Sequence, residues 1–232
     1  MVLQSTTSEN PTANRHGHHG SEHIMTSISI IGSGNMARAI GTLALKGGNT
    51  VEVIGRDGDK AGALARALGN GATAGTWGAT PTGDIVILAV LFAGAVPVVS
   101  EYGEALAGKI VVDITNPFNA DATGLAVPHD TSIAQMVADA APASTHVVKA
   151  FNTLFSHILA AGVPVDVFMA GDDAQAKASV SAFITSLGLR PRDAGDLSMA
   201  HWLEGAGLLE MGLARTGLGF NLSLGVNVGG ME

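Results

Sequence analysis

The clearest chemical signal in the sequence is a glycine-rich turn near its amino end. Gly32-Ser-Gly34-Asn-Met-Ala37 directly follows a β-branched run over residues 27–31 and opens a segment of helical length. In a strand-turn-helix unit, Gly32 permits the tight turn, Gly34 lets a pyrophosphate approach the backbone, and the small Ala37 permits close packing of the helix on the strand. The free N–H groups at the start of such a helix bind phosphate oxygens. The motif therefore predicts a dinucleotide-binding site.

The residues after the second β-branched run bear on the choice of cofactor. A carboxylate at the end of that strand would accept hydrogen bonds from the adenosine ribose of NAD, but Gly55 stands there and Glu52 lies three residues upstream. Arg56 can stack on adenine and pair with a 2′-phosphate, and Lys60 adds charge one helical turn on. Asp57 favours NAD, because its carboxylate would repel a 2′-phosphate. Arg56 and Lys60 have the alternative interpretation of a solvated surface pair. Taken together, these residues favour NADP over NAD.

Two further polar segments follow predicted strands at the edge where open α/β sheets bind their ligands. They are Asp113-Ile-Thr-Asn-Pro117 and Val148-Lys-Ala-Phe-Asn-Thr153. The first places a hydroxyl and an amide group where a nicotinamide should lie, and Lys149, Asn152 and Thr153 of the second are candidates for the opposite wall. Taken singly, each segment also has a structural interpretation, because Asn-Pro is a common turn and Phe151 is a natural core residue.

The elements that must position these residues follow from the alternation of β-branched runs with Ala- and Leu-rich segments of helical length. Strands are predicted at 27–31, 50–54, 84–91, 109–115, 145–151 and 165–170, with weaker candidates at 72–76 and 190–193. Helices are predicted at 36–45, 60–68, 96–106, 133–140, 174–187 and 197–215. Continuous apolar strands such as 84–91 suit a sheet that is buried on both faces. The predicted fold class is α/β: a Rossmann-type, doubly wound, mostly parallel sheet with a small C-terminal helical appendage.

Three segments divide the chain. Residues 1–25 are rich in Ser, Thr, Asn, Gly and His without a periodic apolar pattern, so we expect a disordered leader. Residues 26–195 make up the expected NADP-binding Rossmann domain. Residues 196–232 are a C-terminal helical segment and tail that we expect to cover the acceptor or contact a second subunit. Floppy His-rich tracts bind metals adventitiously, and we predict no functional metal site.

Composition narrows the classes of function. The 232 residues carry a formal net charge of −8 without a cluster of Lys and Arg, which argues against nucleic-acid binding. The absence of cysteine excludes disulfides, cysteine-ligated zinc, iron–sulfur clusters and thiol nucleophiles. No apolar run reaches the roughly 20 residues that a membrane-spanning helix needs. We therefore expect a cytoplasmic protein without a nucleic-acid or membrane partner.

Four motifs in this order resemble the NADP oxidoreductase family typified by coenzyme F420-dependent NADP reductases, whose domain also forms the cytoplasmic part of STEAP-type ferric reductases. The motifs are the glycine-rich turn, Val112-Asp-Ile-Thr-Asn-Pro117, Val148-Lys-Ala-Phe-Asn-Thr153 and Gly171-Asp-Asp-Ala174. The resemblance covers roughly residues 27–224. It implies NADPH bound across the strand ends, a deazaflavin or flavin ring stacked on the nicotinamide, and pairing of subunits as a homodimer.

The resemblance also implies roles for individual residues. The implied contacts are Ser33, Asn35 and Met36 by the pyrophosphate, Arg56 by the 2′-phosphate, Ala89 and Val90 along the cofactor, and Asn116, Pro117 and Ala150 near the nicotinamide. Two places depart from the family pattern. Asp57 stands where the family commonly has a small hydroxyl, and Phe155-Ser-His-Ile158 contains no recognisable deazaflavin contact. The identity of the hydride acceptor therefore stays open.

Hydride transfer between stacked rings needs little proton chemistry from side chains. The sequence contains no evident acid–base constellation, so no catalytic residue is assigned, although His157 and His201 are candidates for a proton relay. The C-terminal stretch supplies an apolar cover, with His201, Trp202 and Gly207 as the predicted substrate contacts. Two alternatives stay open: an NADPH-dependent reductase of a small imine, ketone or hydroxy acid, and a non-enzymatic NADPH-sensing protein.

Overall fold

The structure is a computed structural model that describes residues 26–69, 71–227 and 229. Its strands are β1 (Ser27–Ile31), β2 (Thr50–Ile54), β3 (Ala72–Ala74), β4 (Ile85–Leu88), β5 (Ile110–Asp113), β6 (His146–Ala150), β7 (Asp166–Gly171) and β8 (Arg190–Asp193). Its α-helices are α1 (Asn35–Lys46), α2 (Gly58–Leu68), α3 (Phe92–Tyr102), α4 (Ile133–Ala140), α5 (Ser156–Ala160), α6 (Ala174–Ser186) and α7 (Ala200–Leu213). A π-helical turn, Ala214–Leu218, follows α7. The expected leader, 1–25, lies outside the described residues.

These strands form one sheet in the order β3-β2-β1-β4-β5-β6-β7-β8. Neighbouring strands are parallel except β6 and β7, which pair antiparallel with Val148 opposite Gly171. The strand order reverses between β1 and β4, because the chain runs to one side after β1 and to the other side after β4. Open α/β sheets bind their ligands at this reversal, outside the carboxyl ends of the strands. The predicted doubly wound, mostly parallel α/β fold is confirmed.

The sheet is buried on both faces. Ile28 and Ile30 of β1 pack in a core with α1, α2 and α6, whereas Ile31 belongs to a second core with α3 and α4. All four residues of β4 are buried. Burial of both faces removes the alternation that a half-exposed strand would show, which explains the continuous apolar run at 84–91.

Several boundaries differ from the sequence expectation. The strand expected at 84–91 ends at Leu88, since the chain turns there to enter α3, which begins at Phe92 rather than at residue 96. The helix expected to run to residue 106 ends at Tyr102 and continues as a 3₁₀ turn, because Gly103 has a φ of 46°. Glycine adopts such an angle without steric cost. The single-turn helix α5 has no counterpart among the predicted helices.

The C-terminal segment is fixed to the rest of the domain. Helix α7 contacts α4 and β7. Two amides of the tail donate to carboxylates, Leu224 to Glu210 Oε1 at 3.2 Å and Val226 to Asp166 Oδ2 at 2.7 Å. Within the described part of the chain, no helix is both long and apolar enough to cross a membrane.

Candidate functional site

The site begins at the turn after β1, where the strand order reverses. Gly32 has a φ of 132°, and its N–H donates to the carbonyl oxygen of Ile54 at 2.8 Å. A Cβ atom on Gly32 would overlap the carbonyl oxygen of Ala89, which follows β4. Both the backbone angle and the close approach therefore require glycine here. Gly32 joins the carboxyl ends of β1, β2 and β4.

Helix α1 begins without a capping side chain. Gly34 is its N-cap residue, its first turn carries no acidic side chain, and Asn35 is exposed. Helices α3, α5 and α7 also lack a capping side chain, whereas α2, α4 and α6 are capped by Asp57, Ser132 and Asp173. A Cβ atom on Gly34 would meet no protein atom within 4 Å. Free N–H groups, the positive end of a helix dipole and open space are what a pyrophosphate needs.

Arg56 and Lys60 lie after the carboxyl end of β2, where an adenosine would bind. The Arg56 guanidinium lies 5.0 Å from the ring centroid of Trp77, and its Nη2 lies 3.8 Å from Glu101 Oε2. Lys60 Nζ lies 3.2 Å from Asp57 Oδ2. Both cations are exposed, and both are paired with exposed carboxylates. The sequence did not indicate that Glu101, on α3, would be the partner of Arg56.

The two carboxylates that bear on NAD binding have structural partners. Asp57 caps α2 by accepting from the Lys60 N–H at 3.1 Å, and the hydrogen bonds from Lys60 hold the pKa of Asp57 below its usual value. Glu52 is buried and accepts from the Ser29 hydroxyl at 2.5 Å and from the Thr82 N–H at 2.9 Å. Glu52 is therefore not a free acceptor for ribose hydroxyls, which weakens the case for NAD, whereas the exposed Asp57 is still accessible to a ribose.

Ala89 and Val90 follow β4 on the other side of the reversal point. Both are half-buried, and the next residue, Leu91, is 86% exposed. The Ala89 N–H donates to the carbonyl oxygen of Ile31 at 2.9 Å, which holds this segment against β1. The crevice therefore has apolar side chains between β1 and α3.

At the carboxyl ends of β5 and β6, the predicted site residues Asn116 and Asn152 bind each other. Asn116 Nδ2 donates to the Asn152 carbonyl oxygen at 2.7 Å, and Asn152 Nδ2 donates to Asn116 Oδ1 at 2.9 Å. Asn152 Nδ2 also donates to the carbonyl oxygen of Leu203 in α7 at 2.8 Å. A Cβ atom on Gly207 would lie 3.0 Å from Asn116 Oδ1. Helix α7 therefore packs directly on this asparagine pair.

Lys149 is completely buried in a network of charges that the sequence did not reveal. Its Nζ lies 2.8 Å from Asp113 Oδ2 and 2.9 Å from Glu204 Oε1, and it donates to the Thr115 carbonyl oxygen at 2.5 Å. Glu204 Oε2 accepts from the Ile133 N–H at the start of α4 at 3.3 Å, and burial raises the pKa of Glu204. The expectation that Lys149 lines the cofactor wall is wrong, because this cation instead ties β5, β6 and α7 together.

A signal for this network was present in the sequence. Lys149 interrupts an otherwise apolar strand, and a buried ammonium group needs a carboxylate partner nearby. Asp113 was a natural candidate, since it ends the preceding strand. Glu204 lies 55 residues away along the chain, so its part could not be read from local spacing.

Three buried side-chain oxygens near these strand ends have no hydrogen-bond partner among the described residues: Thr115 Oγ1, Asn152 Oδ1 and Thr153 Oγ1. Phe151, next to Asn152, has a φ of 60°, a left-handed conformation that is uncommon for a bulky residue. Unpartnered buried polar groups and local backbone strain are features that cluster at ligand sites. The carboxyl ends of β5 and β6 are therefore a second candidate part of the binding crevice, beside the glycine turn.

The other predicted cofactor contacts differ in exposure. Ser33 and Met36 are half-buried at the start of α1, whereas Pro117 and Ala150 are buried, Ala150 completely. Contact of these four residues with a cofactor stays a prediction.

The predicted substrate contacts on α7 lie in three different environments. Trp202 is 66% exposed and packs edge-on against His201. His201 Nδ1 lies 2.9 Å from the carbonyl oxygen of Thr131, and Gly207 is buried against Asn116. The Gly207 contact is tight helix packing, and contact of all three residues with a substrate stays a prediction. His157, the other candidate relay, lies 2.8 Å from the Phe220 carbonyl oxygen in the tail.

A surface cavity of about 490 Å³ lies beside α4, and its lining includes none of the predicted cofactor contacts. Its lining includes Asp130, Asp139, Asp172 and Asp196. Acidic side chains repel phosphate groups, so the size of this cavity does not make it the nucleotide site. The glycine turn and the open helix start stay the candidate nucleotide site.

An obligatory glycine, an uncapped helix start and a reversal of strand order are together the features of a candidate dinucleotide-binding site. Residues 27–117 match the family described as "NADP oxidoreductase coenzyme F420-dependent". The chain is similar to this family of NADP-dependent oxidoreductases over that segment, which is less than half of its length. The resemblance inferred from the four motifs is confirmed.

Two curated relatives extend the similarity beyond the matched segment. Metalloreductase STEAP3 of Rattus norvegicus is 32% identical over 181 residues, which cover 76% of this chain and 35% of the rat protein. The F420-dependent NADP reductase of Methanocaldococcus jannaschii is 33% identical over 144 residues, which cover 58% of this chain and 64% of the archaeal protein. The chain thus spans about a third and just under two thirds of the lengths of these relatives.

Solved structures share the fold. A candidate F420-dependent NADP reductase from Arthrobacter sp. FB24 superposes with a TM-score of 0.77 at 23% identity, covering 88% of this chain and 100% of that one. An imine reductase from Aspergillus terreus, in complex with NADPH4 and dibenz[c,e]azepine, gives a TM-score of 0.63 at 22% identity, covering 83% of this chain and 63% of that one. At these identities the likeness concerns the fold.

Proposed function

We propose that the protein binds NADP(H) and transfers hydride between it and a deazaflavin, coenzyme F420, or a flavin. The observation that carries the proposal is the open, uncapped start of α1 behind the Gly32 turn, where the strand order reverses. A bound nicotinamide supplies or accepts the hydride, so the residues of the chain need only bind and orient.

The phosphates would be held at the β1 and β2 ends of the crevice. The free amides of α1, together with Ser33, Asn35 and Met36, would hold the pyrophosphate. Arg56 and Lys60 would hold the 2′-phosphate, because both are exposed cations after β2. Their carboxylate partners are exposed as well, so these ion pairs are weak and exchangeable. Ala89 and Val90 would lie along the cofactor.

The nicotinamide would lie at the ends of β5 and β6, by Asn116, Pro117, Ala150 and Asn152. The unpartnered oxygens of Thr115, Asn152 and Thr153 support binding of a polar ligand group there, such as a carboxamide. The buried ionisable groups of this end, Lys149, Asp113 and Glu204, are paired with one another. This arrangement suits a hydride transfer that uses no protein acid.

The C-terminal segment would cover the acceptor. Trp202 and Leu209 lie seven residues apart and hence on one side of α7, and they are 66% and 57% exposed. We assign residues 26–195 to the Rossmann domain and 196–232 to the cover. The exposed side of α7 would contact the acceptor or the second subunit of a homodimer. A cytoplasmic location agrees with this assignment.

The names of the two curated relatives support two kinds of acceptor, coenzyme F420 and a metal. The archaeal relative is named for coenzyme F420 and NADP, and the rat relative is named a metalloreductase. We therefore include ferric chelates as well as deazaflavin and flavin in the test.

The test is NADPH oxidation by the purified protein, with coenzyme F420, FMN, FAD, ferric chelates and small imines and ketones as acceptors. We expect turnover with the tricyclic rings, fastest with coenzyme F420. Gly34→Ala should need about tenfold more NADPH for this turnover, because its methyl group would occupy the open crevice. The matched control Gly58→Ala should show no such change, since Gly58 starts the capped helix α2 and its Cβ position is also free.

Other outcomes would change the proposal. Turnover with an imine or ketone alone would replace the acceptor class. NADPH binding without turnover of any acceptor would favour a sensing protein. Failure to bind NADPH would contradict the proposal altogether.

A further inference from the structure

Four side chains form a cluster beside the predicted 2′-phosphate site: Arg56, Trp77, Glu101 and Tyr102. Arg56 lies over the Trp77 ring at 5.0 Å and 3.8 Å from Glu101 Oε2. Trp77 Nε1 donates to Glu101 Oε1 at 2.5 Å. Glu101 therefore contacts both the guanidinium and the ring that supports it.

We propose that Glu101 is a specificity-determining residue that competes with the 2′-phosphate of NADP(H) for Arg56. The inference rests on the proposed binding of NADP(H). In the structure, the Glu101 carboxylate keeps the Arg56 guanidinium against Trp77. A 2′-phosphate must replace this carboxylate to pair with Arg56, whereas NAD(H) has no group there that requires it.

The first support is the looseness of the Arg56–Glu101 pair. The two atoms are 3.8 Å apart, and the side chains are 66% and 46% exposed. Exposed pairs of this kind contribute little to stability, so exchange of the carboxylate for another anion is easy. A phosphate carries more charge and matches the fork of donors on a guanidinium.

The second support is that Glu101 itself is anchored. Its hydrogen bond to Trp77 holds one carboxylate oxygen, and Trp77 is held in turn by edge-on packing against Tyr102, with ring centroids 5.4 Å apart. The Gly78 N–H donates to the Tyr102 hydroxyl at 3.2 Å, which fixes the loop that carries Trp77. Glu101 thus stays in place when Arg56 changes partner, and the competing charge persists.

The adenosine end can be tested without hydride chemistry. The affinity of 2′,5′-ADP and of 5′-AMP is measured by calorimetry for the unaltered protein and for Glu101→Gln, whose amide oxygen still accepts from Trp77. We expect 2′,5′-ADP to bind about two- to fivefold more tightly to Glu101→Gln, the range that an exposed ion pair corresponds to. The affinity for 5′-AMP should not change.

Two controls bear on the cause. Glu104→Gln makes the same change of charge on an exposed side chain three residues on, and it should leave both affinities unchanged. In an Arg56→Ala background, Glu101→Gln should no longer improve binding of 2′,5′-ADP, since no guanidinium is left to compete for. An equal gain in that background would overturn the competition.

The indole ring gives an independent readout. Trp77 and Trp202 are the two tryptophans of the chain, so Trp202→Phe leaves Trp77 as the sole indole. We expect 2′,5′-ADP to change the Trp77 emission because Arg56 leaves the ring, and 5′-AMP to change it less. In Arg56→Ala this difference between the two ligands should vanish.

The failures are distinguishable. If the unaltered protein binds 2′,5′-ADP no better than 5′-AMP, the proposed NADP(H) function fails. If it prefers 2′,5′-ADP and loses that preference in Arg56→Ala, yet Glu101→Gln binds 2′,5′-ADP equally or more weakly, only the role of Glu101 is overturned.

Discussion

The two ends of the crevice hold their charges in opposite ways. At the β2 end, Arg56 and Lys60 are exposed, and so are their carboxylate partners. At the β5 and β6 end, Lys149 is completely buried between Asp113 and Glu204. An exposed ion pair contributes about 0–1 kcal/mol, whereas removing one partner of a buried pair costs about 3–5 kcal/mol. Charges at the first end can change partner when a ligand binds, and charges at the second end hold the frame together.

Glycines show the same contrast. The Cβ position of Gly34 faces open space, whereas that of Gly207 lies 3.0 Å from Asn116 Oδ1. One glycine leaves room for a ligand, and the other lets a helix approach the sheet. The same residue type thus leaves open space at one end and permits close packing at the other.

The largest effect should come from Lys149→Met, which tests the buried end. It leaves Asp113 and Glu204 buried without their cation, so we expect the free energy of unfolding to fall by about 3–5 kcal/mol. Urea denaturation at neutral pH measures this change. Lys60→Met removes an exposed cation of the other end and should cost no more than about 1 kcal/mol.

A second substitution separates charge from packing in this network. Adding Glu204→Gln to Lys149→Met removes one of the stranded carboxylates and should restore part of the lost stability. Equal losses for Lys149→Met and Lys60→Met would break the comparison between the two ends.

Glu210, on α7, extends the comparison to pH. Burial raises the pKa of Glu210 from 4.5 to about 7. The folded protein holds this proton more tightly than the unfolded chain. Protonated Glu210 therefore contributes fully to the free energy of unfolding below about pH 4.5, and this contribution is lost as the pH rises through about 7. Glu210→Gln can still accept from the Leu224 N–H but carries no charge. At pH 8 we expect its free energy of unfolding to be about 1–3 kcal/mol larger than that of the unaltered protein.

The measurement is the difference in unfolding free energy between Glu210→Gln and the unaltered protein across this pH range. The difference should grow as the pH rises. Glu104→Gln, on an exposed side chain, is the control for the loss of one negative charge. A flat difference for Glu210→Gln would contradict the raised pKa.

Local signals made much of the fold and the open end of the site predictable. The Gly32 turn, the β-branched runs and the cation after β2 each depend on a few neighbouring residues, and each lies where the sequence placed it. Even the apolar run at 84–91 indicated a strand buried on both faces. Its end was misplaced, because the point where β4 turns into α3 depends on packing across the sheet.

The buried end was less accessible to sequence reasoning. Lys149 is 55 residues from Glu204, and Asn152 is 51 residues from the carbonyl group of Leu203 to which it donates. Pairings of this length depend on how α7 folds back on the strand ends. The Arg56–Glu101 contact was missed for the same reason, since it joins the end of β2 to the end of α3.

Gly34→Ala should sharpen the comparison at the open end. The Cβ position is free of protein atoms and the residue has a φ of −84°, so the free energy of unfolding should fall by no more than about 1 kcal/mol, the cost of alanine at an N-cap. The methyl group would occupy the space that a pyrophosphate needs, and we expect NADPH to bind about tenfold more weakly, or about 1.4 kcal/mol. Gly32→Ala, in contrast, should lose stability as well, because its Cβ atom would overlap the Ala89 carbonyl oxygen. Tight NADPH binding by Gly34→Ala would show that the pyrophosphate does not lie there.

The smallest expected effect is that of Arg56→Ala. This substitution tests whether the exposed charges after β2 contribute to the binding of NADPH. Arg56 is 66% exposed and already paired with Glu101, so binding of a 2′-phosphate exchanges one anion for another, and the net gain is modest. We expect NADPH to bind about fivefold more weakly to Arg56→Ala, which corresponds to about 1 kcal/mol, with NADH unaffected. Arg66→Ala is the matched control, because Arg66 is exposed in the last turn of α2 and its loss changes the net charge equally. Titration with both cofactors measures the ratio of their affinities. Equal weakening of NADPH and NADH would mean that Arg56 contacts the shared adenine rather than the phosphate, and a preference for NADH in the unaltered protein would return the cofactor assignment to NAD.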